Sequence, residues 1–307
     1  ADGSLLVAYP DDQLIARYDA DGGFVGLRGQ SLWQLDQFVV DGAGMTYGLD
    51  QRALAVSVFD PQGWLLRRLG GSTRDGGPFE RCQALAVDPS GRWLCVLDNS
   101  RRCVVRYDLQ QPDNRPLVFG QPGDGPGQFD RPIQLAMDDR THVYVLDYDL
   151  HRVSVFRCSD GALRFTFGDY ERGREDHEIQ RAAFIAVEPR GTVAYVYDSR
   201  RYQIMKFALD HDGKAAGHVA NGGGRGDDPG QLYEVVGLGC DRLGLLYVLD
   251  ESNRNLQVID FRQSNPVAIH TLAGDDLHTR SPRSLALGPD GHPWVRDGER
   301  LIGFHWR

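Results

Sequence analysis

Residues 116–156 read PLVFGQPGDGPGQFDRPIQLAMDDRTHVYVLDYDLHRVSVF, and this stretch decides the fold. A short strand ends at Phe119, and a loop rich in glycine and proline follows it. The apolar run at 133–137 predicts an inner strand, and a tight turn leads to a second strand that ends at Asp147. After another turn, a third strand ends at Phe156. Short apolar runs bounded by glycine, proline and aspartate are typical of a small antiparallel sheet.

The same pattern recurs along the chain with a period near 50 residues. The acid that ends each second strand serves as an anchor, and the spacings between anchors are 48, 49, 51, 52 and 47 residues. An apolar residue lies six positions after each of the first five anchors, and an aromatic residue or isoleucine lies nine positions after. A period of this length, with several strands per unit, indicates a β-propeller. The anchors are Asp50, Asp98, Asp147, Asp198, Asp250 and Asp297.

Three segments of one unit carry a resemblance to a known family. They are GPGQF at 125–129, VLD at 145–147 and RVSVF at 152–156. This order of a glycine-rich loop, a strand ending in V-x-D and a strand ending in an aromatic residue resembles the NHL-repeat family. The resemblance covers essentially the whole chain and implies an all-β, NHL-type β-propeller. It implies no single function, because the fold hosts enzymes, RNA binders and scaffolds alike.

The number of blades follows from the count of units. A seventh copy of the second and third strands lies at the N-terminus, with Tyr9 in the anchor position, so seven blades are favoured. The alternative is six blades, with the N-terminal hairpin outside the ring. We expect one domain over residues 1–307, because a closed repeat array is one cooperative body. Its units lie at about 1–29, 31–70, 80–120, 130–168, 181–220, 232–274 and 282–307.

Charge and hydropathy restrict the partners and the location. The net charge of −9 gives no global attraction to phosphate backbones or anionic lipids, which disfavours nucleic acid as a partner. The sequence shows no apolar run long enough to span a membrane and no signal-peptide pattern at its start. A cytoplasmic location or a place in a particle is favoured, with a secreted or periplasmic one if a signal was removed before Ala1. Of 34 basic residues two are lysine, a bias that suggests a bacterial source.

The five cysteines do not form a paired framework. Cys95 and Cys103 fall on the two arms of one predicted hairpin, where they could face each other. The alternative is that all five are reduced thiols in the core.

A candidate partner-binding face combines two kinds of segment. In a propeller, the loops that lead from an outer strand to the next inner strand share a face with the turns between second and third strands. Those turns are rich in arginine, and the long loops add further arginines. The resulting ring of guanidinium groups would bind carboxylates or phosphates of a partner. The alternative is that each arginine bonds its anchor aspartate or a neighbouring blade's carbonyls. The candidate residues are Arg52, Arg101, Arg102, Arg152, Arg200, Arg201 and Arg254 in the turns, and Arg172, Arg174 and Arg225 in the loops.

The anchor aspartates themselves are predicted to cap turns, accepting backbone N–H groups two or three residues on.

No residue is assigned a catalytic, cofactor-binding or metal-binding role, and no cofactor is predicted. The nine histidines share no repeat position and no metal-ligand spacing, which argues against a zinc-dependent lyase. The inner strands offer Gln83 and Gln134 but almost no acids, which argues against a lactonase-type metal site. Acidic loop residues such as Asp124 and Glu171 would repel RNA.

The function that the sequence favours is a non-catalytic scaffold that binds protein partners through the long-loop face. We expect it to be a rigid module of a larger bacterial assembly, with phage-tail-like particles as one analogy. The alternative is a metal-dependent hydrolase or lactonase with its site at the central pore. An RNA-binding NHL domain is a third and weaker hypothesis.

Overall fold

Six second strands that each end in an aspartate set the architecture. The computed structural model describes residues 5–9, 14–18, 24–29, 35–71, 78–111, 115–168, 178–210, 216–262, 266–273, 277, 279, 281–288, 290–297 and 300–304. Within these residues the chain is all-β, and its antiparallel sheets are the blades of a β-propeller. No helix in the described part is long and apolar enough to cross a membrane.

Each blade runs from an inner strand outward. The N-terminal segment has β1 (Leu5–Tyr9), β2 (Leu14–Tyr18) and β3 (Phe24–Arg28). Blade 1 has β4 (Gln37–Val40), β5 (Thr46–Asp50), β6 (Ala55–Phe59) and β7 (Leu65–Gly70), and blade 2 has β8 (Cys82–Val87), β9 (Trp93–Asp98), β10 (Cys103–Asp108) and β11 (Leu117–Phe119). A two-stranded parallel pair, β12 (Gln121–Pro122) and β13 (Gln128–Phe129), precedes blade 3, which has β14 (Pro132–Met137), β15 (His142–Asp147), β16 (Arg152–Arg157) and β17 (Ala162–Phe167).

The second half of the chain repeats this order. Blade 4 has β18 (Ala182–Val187), β19 (Val193–Asp198), β20 (Gln203–Leu209) and β21 (Ala216–Gly223). Blade 5 has β22 (Val235–Cys240), β23 (Leu245–Asp250), β24 (Asn255–Asp260) and β25 (Val267–Ala273), and blade 6 has β26 (Pro282–Leu287), β27 (Pro293–Asp297) and β28 (Arg300–Gly303).

The ring has six blades among the described residues, so the favoured count of seven was wrong and the six-bladed alternative is correct. The inner strands β4, β8, β14, β18, β22 and β26 contact one another in sequence, and β26 contacts β4, which closes the circle. The N-terminal copy shows no inner strand in the described part, so it does not reach the axis. Instead β3 pairs with β7 at Leu27 and Leu65, which extends the sheet of blade 1 outward to seven strands. At Gly26 this approach leaves no room for a side chain, because a Cβ would lie 2.8 Å from the Leu65 carbonyl oxygen.

The core consists of six apolar layers, one between each pair of neighbouring blades. The layer between blades 2 and 3, for example, contains Val104 and Phe119 from one blade and Val145 and Phe156 from the other. Corresponding layers join the other neighbours, including blades 6 and 1 through Ala286. Because every blade buries both faces, its second and third strands are apolar on both sides, as in strands covered from two directions.

In blades 1 to 4, a glycine and a buried apolar residue join the outer strand to the loop that follows. Gly120 has a φ of +82°, which favours glycine, and a Cβ there would collide with the ring of Phe129. Phe129 is fully buried and packs edge-on against Phe156, with ring centroids 5.7 Å apart. The Gly120–Phe129 pair is therefore a packing element between blades 2 and 3. Equivalent pairs are Gly70 with Phe79, Gly168 with Ile179 and Gly223 with Leu232.

The five cysteines are free and buried. The strand register places Cys95 opposite Arg106 and Cys103 opposite Asp98, so these two thiols do not face each other across the hairpin. Three positions separate the two thiols across the β9–β10 ladder. The Cys95 sulfur lies 3.6 Å from that of Cys158 in blade 3 instead.

Thiol burial predicts a loss of stability at high pH. Burial, with the Asp98 carboxylate adding to it, raises the pKa of Cys103 to about 11 and that of Cys82 to about 12, from an ordinary value of 9.0. These thiols therefore lose their protons at a lower pH in the unfolded chain than in the folded protein. The resulting stability is fully present below pH 9 and is lost as pH rises from about 9 to about 12.

We expect urea unfolding at about pH 10.5 to show a lower free energy of unfolding than at about pH 8. The Cys82→Ala, Cys103→Ala double variant should lose less stability over the same interval. An equal loss in the wild type and the double variant would contradict this origin.

Candidate binding face and axial cavity

Buried aspartates fix the geometry of one face of the ring. Asp147 is fully buried, and its carboxylate accepts N–H groups from Leu150 in the following turn at 3.1 Å and from Asp130 and Arg131 at 2.9 and 3.1 Å. The predicted turn-capping role is thus confirmed for the five anchors whose turns the structure describes. The sequence did not predict a second role of the anchors. Four of these carboxylates also bond the backbone just before the inner strand, 16 to 18 residues upstream. Asp98, Asp198 and Asp250 repeat the arrangement.

The side chains of three of the predicted arginines contact other groups of the protein. Arg101 lies 3.3 Å from the Glu80 carboxylate and donates to the Pro78 carbonyl at 2.7 Å. Arg102 forms an ion pair with Asp130 at 3.2 Å. Arg152 donates to carbonyl oxygens of the loop that precedes its blade, at residues 125 and 128. These side chains tie turns to adjacent loops, as in the structural alternative that the sequence left open.

Three other predicted arginines point into solvent. Arg52, Arg200 and Arg254 are exposed, and among the described residues their side chains have no hydrogen-bond or ion-pair partner. The backbone N–H groups of Arg52 and Arg200 donate to the carboxylates of Asp50 and Asp198 at 3.0 and 2.9 Å. The turns are therefore fixed while the guanidinium groups stay available to a partner.

The remaining predicted arginines fall into separate environments. The backbone N–H of Arg201 also donates to Asp198, and its side chain is half-buried. Arg225 lies over the rings of Tyr202 and Tyr233, at 5.5 and 5.0 Å from their centroids, and donates to the Tyr233 hydroxyl at 2.7 Å. Arg172 and Arg174 lie outside the described residues.

A second set of arginines, which the sequence reasoning missed, precedes the inner strands. Arg81, Arg131 and Arg181 occupy one repeat position, and the carbonyl of each accepts an N–H from the residue after the anchor, at 3.0, 2.9 and 2.9 Å. The signal was present in the sequence, since each lies 16 or 17 residues before its anchor. The last two of these arginines line the mouth of the axial channel.

The axial mouth is a cavity of about 500 Å³ that all six inner strands help to form. Its charged lining consists of Arg131, Arg181 and Arg283 against one acid, Asp36. Amide groups of Gln37, Gln83 and Gln134 add hydrogen-bonding capacity. Below the mouth the channel is apolar, with side chains such as Val87, Leu135, Ile185 and Leu287.

The opposite mouth has a different character. A cavity of about 420 Å³ lies there, between the turns that connect inner and second strands. Asp41 and Asp241 in these turns are buried and accept N–H groups of their own turns as well as tyrosine hydroxyls. Because these carboxylates are already bonded, they maintain turn structure on this face.

The side chains that line the axial mouth include few of the groups that bind metal ions. One carboxylate lines the cavity, and divalent cations are held by several oxygen ligands of which carboxylates are the strongest. In the described part of the chain, no three histidine, cysteine, aspartate or glutamate side chains form a group that could hold a metal ion.

Comparison with known proteins supports the fold. The Kuenenia stuttgartiensis hydrazine synthase aligns with a TM-score of 0.57 at 12% identity, over 89% of this chain and 95% of that chain. The Myceliophteria thermophila Cps50 (Swd1) beta-propeller domain aligns with a TM-score of 0.59 at 9% identity, over 88% and 96%. At such identities the likeness shows the fold alone. No protein-family model and no curated sequence matches the chain.

Proposed function

We propose that the chain is a non-catalytic, NHL-type propeller that binds a protein partner through the face around Arg52, Arg200 and Arg254. The observation that carries this proposal is the exposure of these three guanidinium groups on turns that the carboxylates of Asp50, Asp198 and Asp250 hold in place. A guanidinium group on a rigid turn loses little freedom on binding, and its planar donors match a carboxylate. The partner would therefore present acidic side chains.

A rigid ring whose blades are joined by six apolar layers is suited to hold other subunits in fixed positions. We therefore infer that the protein is a module of a larger bacterial assembly. The metal-dependent hydrolase remains the second hypothesis from the sequence. The single carboxylate at the axial mouth gives it less support than the exposed arginines give to binding.

The test compares matched sets of exposed arginines on the two faces. We expect the wild type, fractionated by native size in lysate of the source organism, to migrate with defined companions identified by mass spectrometry. The Arg52→Ala, Arg200→Ala, Arg254→Ala variant should release them. The control variant Arg140→Ala, Arg190→Ala, Arg242→Ala removes three exposed arginines from the opposite face and should retain them.

Two results would contradict the proposal. One is migration of the wild type at the size of the 34.2 kDa monomer without companions. The other is equal release of the companions by both triple variants, which would indicate an effect of total charge rather than recognition by one face.

A further inference from the structure

The axial cavity carries a polar lining that binding through the outer turns does not use. Arg131 and Arg181 enter it from consecutive blades, 3 and 4, at the same repeat position, and the Arg131 guanidinium lies over the Tyr148 ring at 4.7 Å. Arg283 enters from blade 6, on the far side of the ring. Three guanidinium groups thus surround one concave space.

The neighbouring acids pair with Arg283 and with groups outside the cavity, and leave Arg131 and Arg181 unpaired. Asp130, beside Arg131 in the sequence, forms an ion pair with Arg102, and Glu251 pairs with Arg283 at 3.1 Å. The Asp36 carboxylate accepts the N–H of Gln51 at 2.8 Å. In the described part of the chain, neither Arg131 nor Arg181 has a carboxylate partner. Arg131 and Arg181 therefore bring to the cavity two positive charges that no described carboxylate pairs, within a protein whose net charge is −9.

One wall holds a buried hydroxyl without a partner. Ser284 lines the cavity and is 8% exposed, and its Oγ has no hydrogen-bond partner among the described residues. A buried polar group left unpaired costs free energy unless a ligand or water bonds it. Gln37 and Gln134 lie at the equivalent positions of blades 1 and 3, so polar groups recur at this level of the ring.

Apolar side chains also line the cavity. Phe184 and Val236, from blades 4 and 5, are half-buried there. A ligand that meets both the arginines and amides and these side chains would carry an anionic and a carbon-rich part.

We propose that the axial cavity is a binding site for a small organic carboxylate, held by Arg131 and Arg181 and accepting a hydrogen bond from Ser284. The volume of about 500 Å³ suits a ligand of metabolite size. Guanidinium groups bind carboxylates through paired N–H donors, and the serine hydroxyl, which is closed to solvent in the free protein, would turn toward the ligand to donate to a carboxylate oxygen. This site goes beyond the proposed partner binding and does not depend on it.

The test is isothermal titration of the whole chain with citrate. We expect saturable binding that weakens about tenfold or more in the Arg131→Gln, Arg181→Gln variant, since each charge-assisted bond is worth about a tenfold change in affinity. The Arg140→Gln, Arg190→Gln variant alters two exposed arginines of the opposite face and should bind citrate as the wild type does. Citrate binding that is absent, or that weakens equally in both variants, would overturn the proposal.

Two further arms identify the ligand class and the role of Ser284. Hexaglutamate should bind more weakly than citrate, and a result in which hexaglutamate binds and citrate does not would assign the cavity to an acidic peptide instead. Inorganic phosphate bound as tightly as citrate would likewise overturn the carboxylate assignment. Ser284→Ala should weaken citrate binding several-fold without lowering the thermal midpoint of the free protein, and unchanged affinity would exclude Ser284 from the site.

Discussion

Replacing Asp147 with alanine is expected to lower the free energy of unfolding by about 3–5 kcal/mol. The buried carboxylate accepts three backbone N–H groups, from Asp130, Arg131 and Leu150, and alanine leaves all three without an acceptor. The variant should also weaken citrate binding at the axial mouth, because one of the three N–H groups belongs to Arg131.

Urea unfolding followed by tryptophan fluorescence measures this effect. Asp130→Ala is the matched control, since its side chain is 45% exposed and forms a surface ion pair worth at most about 1 kcal/mol. Asp147→Asn keeps acceptor oxygen but no charge and should fall between the two. A loss for Asp147→Ala no larger than that of Asp130→Ala would show that the anchors do not hold the ring together.

Phe129→Ala is expected to destabilise the protein by about 3–5 kcal/mol, as for other large buried aromatic residues. Its ring is fully buried, contacts Phe156 edge-on and fills the space that Gly120 leaves open. The cavity left by alanine would lie between blades 2 and 3, so the loss should affect the contact that joins them.

The control for this substitution is Val118→Ala in the adjacent outer strand. Val118 is 54% exposed, and its truncation should change the free energy of unfolding by less than about 0.5 kcal/mol. Similar urea midpoints for Phe129→Ala and the wild type would mean that the Gly120–Phe129 pair is not a packing element.

The repeating anchor made the fold predictable from the sequence. Spacings of 47 to 52 residues between aspartates located the second strands, each of which ends at its anchor in the structure. The count of blades was not predictable from the same signal. Hairpins of second and third strands recur in the N-terminal segment, but a blade needs an inner strand at the axis, and this segment instead joins the outer edge of blade 1, where β3 pairs with β7.

The candidate face was predictable in position but not in detail. Arg101 lies three residues after its anchor and reaches Glu80, whereas Arg200 lies two residues after its anchor and stays in solvent. Such a contact joins residues about 20 positions apart, and the turn sequence alone does not contain it.

The most direct test of the proposed function is photo-crosslinking in cells of the source organism. A benzophenone amino acid replaces Arg200 on the proposed partner-binding face or, as the matched control, Arg190 in the same blade on the opposite face. We predict a discrete crosslinked adduct to another protein from position 200 and none from position 190. An adduct from position 190 alone, or from neither position, would contradict the account.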